Sequence, residues 1–287
     1  MRALRRWCRD TLAAAGVLAL AAAGSPDVVR AQGKLDARYT ASLAGIPVGS
    51  GTWVIDIGDT RYSAAASGFT TGLMRVFTSG RGTSAAKGTV NGTGKLMSSV
   101  YAATITTRKN SDEVRLSIAN GNVKAFKVEP PTDHDPERLP VTEAHRHGVT
   151  DPMTAMLLRS PGSGDPLKPE VCDRTLPIFD GRLRYDLELA YKRMDHVKAE
   201  KGYAGPVVVC SVHFKPVAGF IPSRSAIRYI TKLRAMEIWF APMAGTRVLV
   251  PFRAQGPTPI GEAVVQANQF VALPGPSRAS LNGVKAQ

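Results

Sequence analysis

No apolar run in this chain is long enough to cross a bilayer as a helix. The longest, TLAAAGVLALAAA at residues 11–23, falls well short of the roughly 20 residues that a span requires. Cysteine is nearly absent, with three in 287 residues and no CxxC pair, so the common redox and structural-zinc spacings are missing. The short signatures of hydrolase chemistry are missing too. There is no G-x-S-x-G elbow and no H-E-x-x-H pair, the arrangements that present a nucleophile or a catalytic zinc. GTVNGTGKL at 88–96 has a misplaced first glycine, and Leu96 stands where a phosphate loop needs Ser or Thr. Acidic residues are scarce, 23 against 37 basic ones, for a net charge of +14.

The N-terminus supplies the first positive signal. Arg2, Arg5, Arg6 and Arg9 precede the apolar stretch, and Val29-Arg30-Ala31 places small residues at the −3 and −1 positions before Gln32. This is the layout of a cleavable secretory signal peptide, cut after Ala31, and it predicts a periplasmic protein. Cys8 lies in the charged n-region, so it is no lipoprotein cysteine. Removal of residues 1–31 leaves +11 on the remainder. A basic protein exported in this way meets anionic lipid and acidic envelope partners rather than nucleic acid. Its cations are spread along strand-like segments, as on a solvated face.

Periodicity along the rest of the chain is two rather than 3.6. LDARYTASLA, GTWVIDI, RYSAAASGF, LMSSVYAATITTR, DEVRLSIAN, PVVVCSVHF and TRVLVPFRA alternate or run apolar in short stretches between turn signals. That pattern predicts eleven or more strands in one all-β, mainly antiparallel domain over 32–273, a sandwich or a barrel. Two segments read as helical. TTGLMRVF at 70–77 is short, whereas VTDPMTAMLLRS at 149–160 has Asp151 to cap, Pro152 for the first position, and Met153, Met156 and Leu157 on one face. Such a helix belongs against the concave side of a strongly curved sheet. The Pro-rich, charged segment 129–148 and the segment 160–171 read as exposed loops, and 274–287 as a disordered tail.

CDRTLPIFDGRLRYDLELAYKR, at 172–193, is the most organised stretch. Asp180-Gly181 is a hairpin turn. Beyond it Leu183, Tyr185, Leu187, Leu189 and Tyr191 alternate with Arg182, Arg184, Asp186 and Glu188, predicting a half-buried strand with a charged outer face. Cys172 and Cys210 are the only cysteines left after export, and an even pair in an oxidising compartment predicts a disulfide.

YTASLAGIPVGSGTW, RYSAAASGFTTGLMRVF, DPMTAMLL, CDRTLPIFDGRLRYDL and CSVHFKPVAGF, in this order over residues 35–272, resemble the bacterial family of unknown function numbered 3108. The resemblance implies an exported protein built as a β-rich half-barrel or spiral, similar in shape to periplasmic lipoprotein carriers and envelope-integrity proteins. It carries no catalytic residues.

Candidate chemistry is thin. His134, His145 and His147 share an acidic loop and are weak metal candidates, because a flexible loop must order itself to ligate. Asp186 and Glu188 share a strand face, but between Arg neighbours they read as ion-paired surface rather than an acid–base couple. No cofactor is expected and the chain reads as non-enzymatic. A curved sheet enclosing a helix leaves room for an apolar concavity, with Met153, Tyr185, Leu187, Trp239 and Phe240 as candidate lining. Arg182, Arg184, Arg228, Lys232 and Arg234 form a basic face toward an acidic partner or membrane surface. The expected function is a non-enzymatic binding or scaffold protein supporting the cell envelope, with a carrier of lipid or lipoprotein acyl chains and a hydrolase of envelope polymer as alternatives.

Overall fold

The computed structural model describes residues 32–71 and 80–275. The signal peptide expected over 1–31, most of the candidate helix at 70–77 and the tail from residue 276 lie outside these. The first half is a meander of β1 (Gly33–Leu43), β2 (Ile46–Ile57), β3 (Arg61–Thr70), β4 (Gly80–Val90), β5 (Leu96–Thr107), β6 (Ser111–Ala119) and β7 (Asn122–Glu129). The second half contains α1 (Pro152–Ala155), β8 (Leu158–Arg159), β9 (Arg174–Phe179), β10 (Arg184–Lys198), β11 (Lys201–Gly202) and β12 (Ala204–Ala218). It ends with α2 (Ser225–Ile230), β13 (Met236–Pro242), β14 (Val248–Thr258) and β15 (Gly261–Pro274). All belong to one 15-stranded sheet, with main path β7-β6-β5-β4-β3-β2-β1-β15-β14-β13-β12-β10-β9. Each neighbouring pair on that path is antiparallel. The fold is therefore all-β, as the alternation predicts.

Period two puts one face of each strand inside. In β1, Leu35 and Ala37 are buried between exposed Lys34, Asp36 and Arg38, and in β3 Tyr62 and Ala64 are buried between exposed neighbours. Bulges between Arg38 and Tyr39, Lys87 and Gly88, and Trp239 and Phe240 sharpen the local twist and curl the sheet. The two free edges, β7 and β9, end close together without a ladder between them. Residues 149–150 form a strut instead. Val149 N–H donates to Gly121 O at 2.8 Å beside β7, Thr150 N–H donates to Pro177 O at 2.9 Å, and Phe179 N–H returns to Thr150 O at 3.0 Å. Phe126 of β7 meets Phe179 of β9 edge-on, with ring centroids 5.7 Å apart. The β9–β10 turn packs on the far side of the same seam. There a side chain at Gly181, whose φ is +102°, would stand 2.6 Å from Val114, so only glycine fits.

The α1 turn plugs the interior. Asp151 is fully buried and its Oδ1 accepts from the N–H groups of Met153 and Thr154, both at 2.9 Å. Its Oδ2 accepts from the Thr154 hydroxyl at 2.5 Å. Thr154 has thus spent its proton, so Tyr62 Oη, 2.6 Å away, must donate to it. Burial, above all, pushes the Tyr62 phenol above its ordinary pKa. Met153 and Leu157 join the cluster around Leu35, Ile55 and Phe179, while Ala155 and Leu158 join a second cluster with Val208, Cys210 and Phe240. The predicted helix over 149–160 is shorter than expected. It ends at Ala155 because Leu158 and Arg159 pair with Leu249 and Val248 of β14, and a ladder replaces further helical turns.

Two other expectations change in detail. In β10 Tyr185, Leu187 and Leu189 pack on the second cluster, but Arg184 and Asp186 beside them are also partly buried rather than a solvated face. The register of β10 with β12 then shifts between Tyr191 and Arg193. The bulge leaves Tyr191 exposed and turns the odd-numbered Arg193, Asp195 and Val197 partly inward. The 129–148 loop is mostly exposed, yet it is pinned: Leu139 N–H donates to Phe220 O, and Gly219 N–H donates to Leu139 O.

Cys172 and Cys210 form the disulfide, with Cα atoms 5.4 Å apart across a separation of 38 residues. Both are fully buried in the second cluster, so the bridge ties the segment before β9 to the middle of β12. Closing a loop of this length stabilises by about 4 kcal/mol in the chain-entropy model. The Cys172→Ala/Cys210→Ala variant is expected to lose about 2–4 kcal/mol in chemical denaturation. Reductant should bring the wild type toward the variant's midpoint, and coincident midpoints for oxidised wild type and variant would contradict the staple.

Candidate ligand-binding cleft

One row of side chains crosses the concave face almost at right angles to the strands. Cys210 of β12 is paired with Ile238 of β13, Ile238 with Ala254 of β14, Ala254 with Val265 of β15, Val265 with Ala41 of β1, and Ala41 with Gly49 of β2. Beyond Ile238 the row holds only Ala, Val, Ala and Gly. Small side chains on a curved sheet leave space that large ones fill elsewhere. The glycines of β2 also let β3 approach closely: a Cβ on Gly51 would lie 2.7 Å from Ser67 O.

The space is a trough in two parts. One part, of about 540 Å³, runs between Tyr39, Trp53, Phe69, Met156 and Pro251. The other, of about 800 Å³, runs beneath α2, between Tyr229, Ile230, Leu233, Met236 and Pro257. Ile238, Ala254 and Val265 line both and form a common floor. Each volume lies within the roughly 300–1,000 Å³ of ordinary small-molecule sites. Several polar groups on the walls are already engaged, while the Trp53 indole N–H is buried without a partner. Tyr39 Oη donates to Pro251 O at 2.8 Å, and burial pushes its phenol above the usual pKa. Thr52 and Ser67 hydroxyls pair at 2.9 Å.

α2 roofs the larger part. Ser225, Ala226, Tyr229, Ile230 and Leu233 line the trough, spaced as one face of a helix and its continuation. Arg224 precedes them, Arg228 and Lys232 fall between them, and all three are exposed. Among the described residues none of the three has a carboxylate partner. Glu237 is the one carboxylate lining the trough. Its side chain is only 9% exposed, and it is paired with Lys192 and with Arg193, the latter at 3.0 Å. Burial raises its pKa, but the hydrogen bonds from Lys192 and Arg193 outweigh that and hold the carboxyl below its ordinary value. The charge left near the mouth is therefore positive.

None of the five residues expected to line a pocket lines either part of this trough. Met153 and Phe240 are buried in the two core clusters. Tyr185 stacks against Phe214 with centroids 5.2 Å apart, and Leu187 packs at the margin of the second cluster. Trp239 lies between Arg193 and Arg253, whose guanidinium carbons are 5.2 and 5.1 Å from its ring, and its indole N–H donates to Asp195 Oδ2 at 2.8 Å. The lining is supplied by other residues of the same segments, Ile238 and Glu237 beside Trp239 and Met156 beyond Met153.

The other candidates are engaged elsewhere. His145 Nδ1 accepts from Thr142 N–H at 3.1 Å, while His147 Nδ1 lies 2.8 Å from Asn122 Oδ1 and Nε2 lies 3.4 Å from Glu143. No group of three or more His, Cys, Asp or Glu converges among the described residues, and His134 joins none. Asp186 pairs with Arg184 at 2.6 Å, and Glu188 with Lys215 at 3.2 Å. Arg182 is bound to Pro130 O at 2.8 Å and to Asp112 at 3.3 Å. Arg234 Nη1 sits 2.8 Å from His213 Nδ1. The expected basic face is thus divided. Arg182 and Arg184 are tied into ion pairs, and Arg228 and Lys232 remain around the trough.

Residues 38–268 match the family described as "Protein of unknown function (DUF3108)". No curated protein matches the chain. Among solved structures, the beta-barrel-like protein of domain of unknown function DUF1849 from Brucella abortus is similar, with a TM-score of 0.45 and 10% identity, covering 85% of this chain and 99% of that one.

Because Glu237 has a depressed pKa in the folded state, its contribution is present above the ordinary carboxylate range and is lost as pH falls through the folded value. Glu237→Gln is expected to cost about 2 kcal/mol at neutral pH. The gap to wild type should narrow in acid, below the usual carboxylate pKa. A gap that is constant from pH 7 to pH 3 in denaturant titrations would refute the pairing.

Proposed function

The chain belongs to the DUF3108 family, a family of unknown function, and from that premise we propose that it is a non-enzymatic periplasmic binding protein that holds an alkyl chain in its concave trough. The observation that carries this reading is the continuous apolar floor of Ile238, Ala254 and Val265, shared by both parts of the trough. A site of this shape offers contact along a length rather than at a point, and it has few polar groups free to orient a compact ligand. Each methylene laid in it contributes about 0.8 kcal/mol of gross burial energy. A long chain is therefore rewarded in proportion to its length.

The compartment belongs to the same proposal. The arginine-led apolar leader with its Val-Arg-Ala ending supports export, and the buried Cys172–Cys210 bridge suits an oxidising space. An envelope role, as scaffold or carrier, follows from compartment and ligand together. The hydrolase alternative draws no support from Asp186 and Glu188, each of which is committed to a cation.

The test is displacement of a fluorescent fatty acid by hexadecanoate. Ala254→Phe puts a ring into the floor shared by both parts of the trough, where space rather than packed core receives it. That variant is expected to bind at least about tenfold more weakly, roughly 1.4 kcal/mol, with an unchanged melting temperature. Equal affinity of Ala254→Phe and wild type, or no uptake by the wild type, would reject the trough as a chain-binding site.

A further inference from the structure

The two ends of the curved sheet differ in chemistry. At one end the β2–β3, β4–β5, β6–β7 and β13–β14 turns, residues 58–60, 91–95, 120–121 and 243–247, expose no large apolar side chain, Met243 being buried, although Leu273 near the end of β15 is exposed there. At the other end, large apolar residues stand in solvent. Ile46 follows the β1–β2 turn, Phe69 and Ile105 lie near the ends of β3 and β5, and Ile260 tips the β14–β15 turn. Their exposures are 57%, 54%, 55% and 71%. Strand register joins these positions. Ile46 is opposite Leu43, which is opposite Ala263 near the β14–β15 turn, while Phe69 is opposite Arg81, whose neighbour Gly82 is opposite Ile105. Tyr229 of α2 is also exposed, beside Pro259 at the mouth of the trough.

Cations surround this rim. Arg81, Arg224, Arg228 and Lys232 are all exposed and outnumber the exposed Glu262, two residues from Ile260. Apolar tips that project from several turns, ringed by Arg and Lys, match a bilayer surface with anionic head groups: the tips enter the acyl boundary and the cations meet the phosphates. A protein partner would need a complementary relief across separate turns, whereas a fluid bilayer takes each tip independently. The trough opens at the same end, since Phe69 lines one part of it and Tyr229 and Pro259 line the other.

We infer that this rim docks on the surface of an anionic lipid bilayer, so that the mouth of the trough faces the membrane. Docking requires only the rim. The use of docking, passage of an alkyl chain between membrane and trough, rests on the binding function proposed above.

Vesicle co-sedimentation tests it. The purified protein is expected to sediment with vesicles of equal parts dioleoylphosphatidylglycerol and dioleoylphosphatidylcholine, and at least about tenfold less with pure dioleoylphosphatidylcholine. Binding should fall as salt rises. Ile46→Ser/Ile260→Ser should weaken it at least about tenfold while melting temperature and hexadecanoate binding stay unchanged. Arg228→Ser/Lys232→Ser should erase the preference for anionic vesicles. Ala254→Phe should dock like the wild type, because docking does not use the trough, and loss of its vesicle binding would overturn the proposal. So would equal sedimentation with both vesicle types, full binding by the Ile46→Ser/Ile260→Ser variant, or no sedimentation of the wild type.

Discussion

The fully buried carboxyl group of Asp151 holds the interior together. Asp151 has no contact with solvent and no cation beside it among its hydrogen-bond partners; it is satisfied by two backbone N–H groups and the Thr154 hydroxyl. A buried carboxyl group so hydrogen-bonded fixes the chain on either side of it. On one side lies the Val149–Thr150 strut that joins the sheet's free edges, and on the other the α1 turn that feeds both core clusters. A sheet this long has to manage its edges. Here it does so with two residues and a capped turn rather than with a closing ladder, and the curvature that follows makes the concave face.

That curvature does not by itself make a site. The concave face is filled wherever large side chains face inward, as around Phe179, Phe252 and Phe270. It stays open where the cross-strand row thins to Ala254, Val265, Ala41 and Gly49. The site is therefore a deficit of side-chain volume aligned across four strands. The disulfide and the Leu189–Val212 packing stiffen the neighbouring wall. Glu237, neutralised by Lys192 and Arg193, keeps uncompensated negative charge away from the mouth.

Much of the fold was legible because local rules govern it. Alternation reveals the strands, Asp180-Gly181 the hairpin, Asp151-Pro152 the start of the capped turn, and the two remaining cysteines their own pairing. The helix length was not legible, because Leu158 and Arg159 answer to a β14 partner some ninety residues away. The cleft was hidden for a related reason. Trp239, Phe240 and Tyr185 attract attention by size, yet size is what closes a cavity. Ala41, Ala254 and Val265 are unremarkable singly and meet only through the register of β1, β14 and β15. Bulges at Tyr191/Arg193 and Trp239/Phe240 also shift parity in ways that period two alone does not reveal.

The central claim is that the trough holds an alkyl chain in the protein's own compartment. Mass spectrometry of an organic extract, made from protein purified out of its native cells, tests it most directly. The account predicts about one alkyl-chain species per protein molecule, depleted in extracts of Ala254→Phe prepared in parallel. An extract of the wild type with no apolar species, or with the same amount as from the Ala254→Phe protein, would contradict it.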